Sequence, residues 1–255
     1  MFDHLGLFTR TIAEGLPLTV QATVGGILIA TVMAFAAGLA MLSGSRVVRF
    51  VARVYVELWR GTSEVVQLMW IYFVLPALVG YQIVPLAAGI AVLGLNFGAY
   101  GAEIVRGAIG SVPRAQYEAC VALSLTPAQR MRRVILPQAL AEMVPPFNNL
   151  FIQLLKGSSL LTIITVHEMT YQAREVLVNN FISQAALIWT VVLLFYLALA
   201  VLITSAMRWL ERRAATLAGR PRPPRRSWWS AMGRTGRPRR AEPGAELADI
   251  GRQAG

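Results

Sequence analysis

A long stretch without any charged side chain limits the structures that this chain can adopt. From Val65 to Ala102 there are 38 residues and no Asp, Glu, Lys or Arg, and one straight helix of that length would measure about 57 Å. The hydrocarbon core of a membrane is only about 30 Å thick. Near the middle stand residues that favour turns, namely Pro76, Gly80, Tyr81, Gln82 and Pro85. The stretch therefore predicts two membrane-spanning helices, at about 65–80 and 84–103, joined by a tight turn.

Three further apolar segments raise the predicted number of membrane spans to about five. They lie at about 17–42, at 145–166 after the pair Pro145-Pro146, and at 183–207. The first of them is longer than the apolar region of a signal peptide. The composition agrees, because 56% of the residues are hydrophobic and 15% are charged, against about 45–50% and about 25% in soluble domains. The expected fold class is an all-α membrane protein.

The positions of the basic residues predict the orientation and the domain plan. Of the 24 Lys and Arg residues, 21 follow the first, third or fifth predicted span, and basic residues favour cytoplasmic loops. We therefore expect an external N-terminal segment (1–16), a transmembrane domain (17–207) with a cytoplasmic loop (106–142), and a cytoplasmic tail (208–255). The tail is rich in Pro and Arg, which predicts a disordered segment that contacts anionic lipid rather than nucleic acid.

Several kinds of site are excluded by residues that the chain lacks. Cys120 is the only cysteine, and the two histidines, His4 and His167, lie far apart in the sequence, so we expect no metal site. The sequence contains no Walker A, Gly-x-Ser-x-Gly or His-Glu-x-x-His motif. We therefore expect neither a catalytic site nor a bound cofactor in this chain.

The loop between the third and fourth spans has a helix–turn–helix pattern. A first short helix is predicted over Arg114–Leu123, directly after Pro113. Thr126, with Gln129 three residues later, forms a capping box that starts a second helix, which is expected to end before Pro137. Such a unit can insert into a groove of a partner protein. A DNA-binding role is not expected, because the loop is tied to membrane spans at both ends.

Within this loop, one pattern resembles the EAA motif of binding-protein-dependent ABC importers. Tyr117-Glu118-Ala119-Cys120 is followed by Ser124, where the family has glycine, and by Ile135-Leu136-Pro137 at the matching spacing. Serine can adopt the left-handed conformation that glycine adopts there, at some cost. The resemblance implies an ATPase-coupling role for Glu118, Ala119, Cys120, Ser124, Leu136 and Pro137. Without the surrounding motif, Glu118 would be interpreted as a solvated surface carboxylate.

Three further patterns resemble segments of the polar amino-acid branch of this family, which includes histidine and glutamine permeases. They are Glu57-Leu-Trp-Arg60-Gly61-Thr62, Ala99-Tyr100-Gly101-Ala102-Glu103-Ile104-Val-Arg106-Gly107 and Leu155-Lys156-Gly157-Ser158-Ser159-Leu160. All four patterns stand in the family's order, and the resemblance covers about residues 17–207. It implies structural roles for Arg60, Gly61, Thr62, Tyr100, Glu103, Arg106 and Gly107.

The resemblance also implies the fold and the partners of a type I importer permease in a bacterial inner membrane. The expected partners are a dimeric cytoplasmic ATPase, a second permease subunit (the same chain or a sister chain) and an extracytoplasmic substrate-binding protein. The implied substrate is a polar amino acid. Two segments, Arg60-Gly61-Thr62-Ser63 and Gly98–Ala102, are also similar to permeases for the zwitterions ectoine and hydroxyectoine.

Polar residues in the fourth span are candidates for a substrate path. They are Asn148, Asn149, Gln153, Lys156, Ser158 and Ser159. Gln67 and Asn96, in the second and third spans, are weaker candidates. Lys156 is the only lysine, and a charge at membrane depth marks a functional site, although a lysine near the interface can also snorkel to water. The amides and hydroxyls can equally form hydrogen bonds between helices.

Two other functions remain open at this stage. A stand-alone channel or secondary transporter for a small polar solute would be expected to show an internal repeat, and none is evident in the sequence. A membrane-anchored regulator would act through the basic tail rather than through the loop. Because the importer resemblance rests on four patterns in order, we expect the permease function.

Overall fold

The computed structural model describes residues 4–217, and every regular element within them is helical. The eight helices described there are α1 (Leu5–Met41), α2 (Arg46–Gly61), α3 (Glu64–Val79), α4 (Pro85–Gly110), α5 (Arg114–Ala122), α6 (Pro127–Ile164), α7 (Met169–Val178) and α8 (Ala185–Leu217). Residues 218–255, and with them most of the predicted tail, lie outside the described part of the chain.

Helices α1 and α4 form the centre of the bundle because small residues let them approach closely. A Cβ atom placed on Gly94 of α4 would lie 2.5 Å from the Cβ atom of Ile29 in α1. One placed on Gly101 would lie 2.6 Å from the Cβ atom of Ala34. Small residues at such crossings are a common means of helix association in membranes. Helix α6 packs against both helices and completes the main hydrophobic core.

Five helical units of the described chain correspond in order to the five predicted spans. Three of them are long and apolar enough to cross a membrane singly, namely α1, α4 and the region Ile182–Arg213. The other two qualify only as bent pairs, α2 with α3 (103°) and α6 with α7 (58°). The predicted number of spans is therefore reached when each bent pair counts as one.

Helix α2 supplies a part of the second unit that the sequence prediction had not assigned to a span. Its Ala52 and Val56 are buried, and they pack in one cluster with residues of α1 and α4. The Tyr55 hydroxyl donates a hydrogen bond to the Leu95 carbonyl oxygen of α4 at 2.6 Å. The arginines of α2 keep its hydropathy low, and a search for apolar runs misses such an amphipathic helix.

The predicted end of the second loop helix is wrong. Helix α6 begins at Pro127 and continues through Pro137, Pro145 and Pro146, so the second loop helix does not end before Pro137 and no new helix begins at Pro145. A π turn over Met131–Ile135 widens the helix just before Pro137, which has no N–H to donate. The fixed φ of proline suits a helix, and membrane helices tolerate the lost hydrogen bond.

The predicted turn between the second and third spans is confirmed. The first and last helices, α1 and α8, extend beyond the apolar segments predicted as spans. Gly80 ends α3 in the left-handed conformation with a φ of 74°, which costs glycine little. Helix α1 begins at Leu5, inside the segment 1–16, and α8 continues to Leu217, inside the predicted tail 208–255. Hydropathy marks only the apolar part of a helix, so it missed these polar ends.

Candidate functional site

Helix α5 is anchored on one face and exposed on the other. Cys120 is only 3% exposed, while Glu118 and Ala119 on the same helix are exposed. The Tyr117 hydroxyl donates a hydrogen bond to the Ile109 carbonyl oxygen near the end of α4, at 3.2 Å. The packed side of α5 therefore holds the helix against the bundle, and Glu118 is presented to solvent.

The turn after α5 is built as its sequence predicts. Ser124 has a left-handed backbone with a φ of 55°, and the Leu125 N–H donates to the Cys120 carbonyl oxygen at 3.0 Å, as in a Schellman turn. The capping box follows, because Thr126 Oγ1 accepts from the Gln129 N–H at 3.3 Å and Gln129 Oε1 accepts from the Thr126 N–H at 3.0 Å. Both the left-handed serine and the capping box are confirmed.

Replacing Ser124 with glycine is expected to raise the thermal stability of the purified chain. A left-handed backbone costs a residue with a side chain about 1 kcal/mol, and glycine avoids most of that cost. Ser124→Val should lower the stability instead, because a β-branched side chain fits this conformation worst. Scanning fluorimetry in detergent compares the three melting temperatures. A melting temperature of Ser124→Gly at or below that of the wild type would contradict the expectation.

An apolar tip, defined here as Val121 and Leu123, projects from the end of α5. These side chains are 61% and 73% exposed, and Arg132 and Arg133 of the same loop are exposed as well. Exposed apolar residues with charged neighbours are typical of protein contact sites. Leu136 and Pro137, the last residues of the EAA-like pattern, are half-buried in α6 and are less accessible than the apolar tip.

Four residues from two separate sequence patterns meet where the end of α2 lies beside α4. Glu103 Oε2 accepts hydrogen bonds from Arg106 Nε at 2.8 Å and Arg106 Nη2 at 2.6 Å. Glu103 Oε1 lies 3.8 Å from Arg60 Nη1, and the Arg60 guanidinium lies 5.1 Å from the centre of the Tyr100 ring. Gly107 is exposed one residue further along. The cluster joins α2 to α4 through one shared carboxylate.

Gln67 and Asn96 form a buried amide network at the bend between α2 and α3. Asn96 Nδ2 donates to Gln67 Oε1 at 2.8 Å and to the Trp59 carbonyl oxygen at 2.9 Å. Gln67 Nε2 donates to the same carbonyl oxygen at 2.9 Å and to the Thr62 hydroxyl. Gly61 is exposed at this bend. This network links Gln67 and Asn96 to the end of α2 and stabilises the bend, and Asn96 also lines the pocket described next.

An open pocket of about 520 Å³ lies between this bend, α4 and α6. Three of the six predicted substrate-path residues line it, namely Gln153, Lys156 and Ser159. Glu64 also lines the pocket, and the sequence analysis did not select it. The one sequence signal for Glu64 is its position, because it is the charged residue directly before the long charge-free stretch.

The other three predicted path residues occupy different positions on α6. Ser158 is buried and donates to the Leu155 carbonyl oxygen at 2.7 Å, where it begins the 3-10 segment Ser158–Ile164 that ends the helix. Asn149 is exposed. The Oδ1 atom of Asn148 is buried and has no hydrogen-bond partner among the described residues. The six residues therefore do not form a single lining.

Sequence comparison places most of this chain in one family. Residues 14–216 match the family described as the binding-protein-dependent transport system inner membrane component. The chain belongs to this family. Its members are permease subunits, so the chain is a membrane transport component and not an enzyme. Membership implies an ATPase and a substrate-binding protein as partners of this permease.

Individual relatives of the permease are amino-acid transporters. It is 40% identical over 225 residues to the probable amino-acid ABC transporter permease protein y4tF of Sinorhizobium fredii, covering 86% of this chain and 92% of that one. It is 40% identical over 205 residues to the glutamine transport system permease protein GlnP of Escherichia coli, covering 80% and 93%. The L-cystine transport system permease protein TcyB of Bacillus subtilis is 34% identical over 206 residues, covering 81% and 87%.

Solved structures show the same fold. A chain of an amino acid ABC transporter crystallised with histidines superimposes with a TM-score of 0.75 at 30% identity, covering 84% of this permease and 98% of that chain. A chain of the inward-facing MetNI methionine ABC transporter, at 22% identity and a TM-score of 0.66, supports the fold alone. The expected all-α importer fold is confirmed, and the chain is a permease subunit of a binding-protein-dependent amino-acid ABC importer.

Proposed function

We propose that the loop 106–142 is the contact site for a dimeric cytoplasmic ATPase. The observation that carries the proposal is the exposed Glu118 on a short helix whose other face, at Cys120, is packed against the permease. The packed face of α5 can transmit a movement of the loop to the permease, and its exposed face is accessible to the ATPase. The apolar tip, Val121 and Leu123, fits a hydrophobic groove, and Glu118 with the nearby arginines sets the orientation by charge complementarity.

The orientation and the pairing of the subunit form the second part of the proposal. The N-terminus lies outside, and the loop and the tail lie inside, because the arginines outside the helical units of the bundle are concentrated in the loop 106–142 and in the tail. A second permease subunit, either the same chain or a sister chain, shares the translocation path, since five spans make a small bundle. Membrane lipid covers the remaining apolar faces.

The pocket suits a zwitterionic solute. Lys156 and Glu64 both line it, and a zwitterion offers a carboxylate to the first and an ammonium group to the second. Gln153 and Ser159 add uncharged hydrogen-bonding groups. The substrate class is therefore a polar amino acid. Glutamine is the first candidate because of the similarity to GlnP, and ectoine and hydroxyectoine are the second.

Two experiments test the proposal: purification of the permease with its partners, and measurement of solute uptake by cells. The tagged chain is purified in mild detergent from its native host, and co-purifying proteins are identified by mass spectrometry. Uptake of radiolabelled glutamine, cystine, ectoine and hydroxyectoine is measured in cells with and without the chain. Recovery of an ATPase and energy-dependent accumulation of one of these solutes would support the proposal. Uptake without any ATPase would favour a stand-alone channel or secondary transporter instead.

Replacing Lys156 with methionine is expected to lower uptake about tenfold, because a hydrogen bond to a charged group contributes on the order of 1.5–3 kcal/mol. Methionine keeps the length of the side chain and removes its charge. Arg10→Met is the matched control, since Arg10 is exposed on α1 and lies outside the pocket. Unchanged uptake by Lys156→Met at normal abundance would show that the ammonium group of Lys156 is hydrated at the interface and does not contact the substrate.

A further inference from the structure

Glu168 is a fully buried carboxylate that no sequence pattern singled out. It is 0% exposed and lies in the break between α6 and α7. Its Oε1 accepts hydrogen bonds from Thr162 Oγ1 at 2.6 Å and from the Tyr171 N–H at 2.9 Å. Its Oε2 accepts from the Thr170 N–H at 2.8 Å and from the Tyr196 hydroxyl at 3.1 Å. Four donors satisfy the oxygens of this carboxyl group, which is costly to bury without partners.

The donors to Glu168 come from three different helices. Thr162 lies in the 3-10 end of α6, the two backbone N–H groups belong to the first turn of α7, and Tyr196 belongs to α8. Helix α1 reaches the same point, because a Cβ atom on Gly15 would lie 2.6 Å from the carbonyl carbon of Glu168. The carboxylate of Glu168 therefore joins three helices, and a fourth, α1, packs against its backbone.

Glu168 stands between the pocket and an exposed polar surface. On the pocket side, Ser159 and Leu160 belong to the same 3-10 segment as Thr162 and line the pocket. On the other side, α7 exposes charged side chains, including Arg174 and Glu175. In the orientation proposed above, this exposed face of α7 lies outside the cell, where the substrate-binding protein approaches.

We propose that Glu168 is a positioning residue that transmits contact of the substrate-binding protein from α7 to the pocket wall, through its hydrogen bond with Thr162. The inference rests on the proposed importer function. The 58° bend between α6 and α7 lies at a short break between two helices, and hinges are commonly found at such helix ends. The bond from Thr162 to Glu168 makes the 3-10 segment follow α7, so docking outside changes the shape of the pocket.

Thr162→Val tests the bond directly. Valine keeps the shape of the side chain, removes the donor, and leaves both α7 backbone donors on Glu168. The probe is radiolabelled glutamine, or whichever solute of the uptake test the wild type accumulates. We expect the maximal uptake rate to fall about tenfold. The KM, the abundance, the melting temperature and the basal ATPase activity of the purified complex should stay at their wild-type values.

Tyr196→Phe is the matched control, because it removes a hydroxyl from the same carboxylate without changing Thr162. Its maximal uptake rate should stay within about twofold of the wild type. The proposal is overturned by equal losses in both variants, or by wild-type uptake in Thr162→Val. If the abundance, melting temperature and basal ATPase activity of Thr162→Val fall together with its uptake rate, Glu168 only stabilises the start of α7 and the proposal is overturned. If the wild type accumulates none of the solutes, the proposed function itself fails.

Discussion

Replacing Glu118 with arginine is expected to remove the ATPase from the purified complex. Glu118 is exposed on α5, so the substitution leaves the packing of the permease intact. Charge reversal at an interface replaces an attraction by a repulsion and leaves the partner's charge unpaired, which costs about 2–5 kcal/mol. The lower limit already weakens binding by roughly a factor of 30. Quantitative mass spectrometry of the detergent-purified complex measures the ATPase-to-permease ratio, and amino-acid uptake should be lost in parallel.

Glu14→Arg provides the matched control for this charge reversal. Glu14 lies on α1, where it makes an exposed contact with Arg10 at 4.0 Å, and exposed ion pairs contribute little to stability. This variant should recover the ATPase in the wild-type ratio. Full recovery with Glu118→Arg would exclude Glu118 from the coupling contact. Equal losses in both variants would indicate an effect of net charge rather than of the loop.

Replacing Gly94 with leucine is expected to prevent stable folding of the permease. The new Cβ atom would lie 2.5 Å from the Cβ atom of Ile29, far inside van der Waals contact. Ile29 is β-branched and sits in a helix, so its side chain is nearly fixed at χ1 and cannot rotate away. Helices α1 and α4 would have to separate, at a cost of about 3 kcal/mol or more. Fluorescence-detected size-exclusion chromatography should show loss of the monodisperse peak.

Gly110→Leu makes the same change at the end of the same helix. Apart from its chain neighbours and the backbone of its own helix, no described atom comes within 4 Å of a Cβ atom added at Gly110. We expect wild-type abundance and a monodisperse peak from this control. A folded Gly94→Leu protein with an unchanged melting temperature would show that α1 and α4 do not depend on close contact at this crossing.

Features set by a few neighbouring residues could be predicted from the sequence. The capping box at Thr126 and the left-handed turns at Gly80 and Ser124 depend on local backbone geometry and on one or two side chains. The order of the apolar segments likewise follows from the length of helix that a membrane requires. The same locality explains why the EAA-like loop was recognisable, since its pattern is short and regularly spaced.

Features set by distant residues could not be predicted in this way. Pro145 and Pro146 were interpreted as the start of a span, although the surrounding bundle allows α6 to pass through them. Arg60 lies between the first two predicted spans, so its place inside the bundle was missed. Its contact with Glu103 joins residues that are far apart in the sequence. Glu168 follows an apolar segment and looks like a solvated loop residue. Its burial depends on contacts with α1 and α8, which no local pattern records.

The apolar tip, Val121 and Leu123, has a consequence for the turnover of the protein in the cell. In the proposed assembly, a copy that has no ATPase bound would present these two exposed side chains to the cytoplasm. Chaperones and proteases act on proteins that display apolar surface which assembly would normally hide. If the loop is the ATPase contact, the apolar tip would also mark incomplete assembly. The supply of ATPase would then set how many permease copies survive, and neither subunit would accumulate in excess.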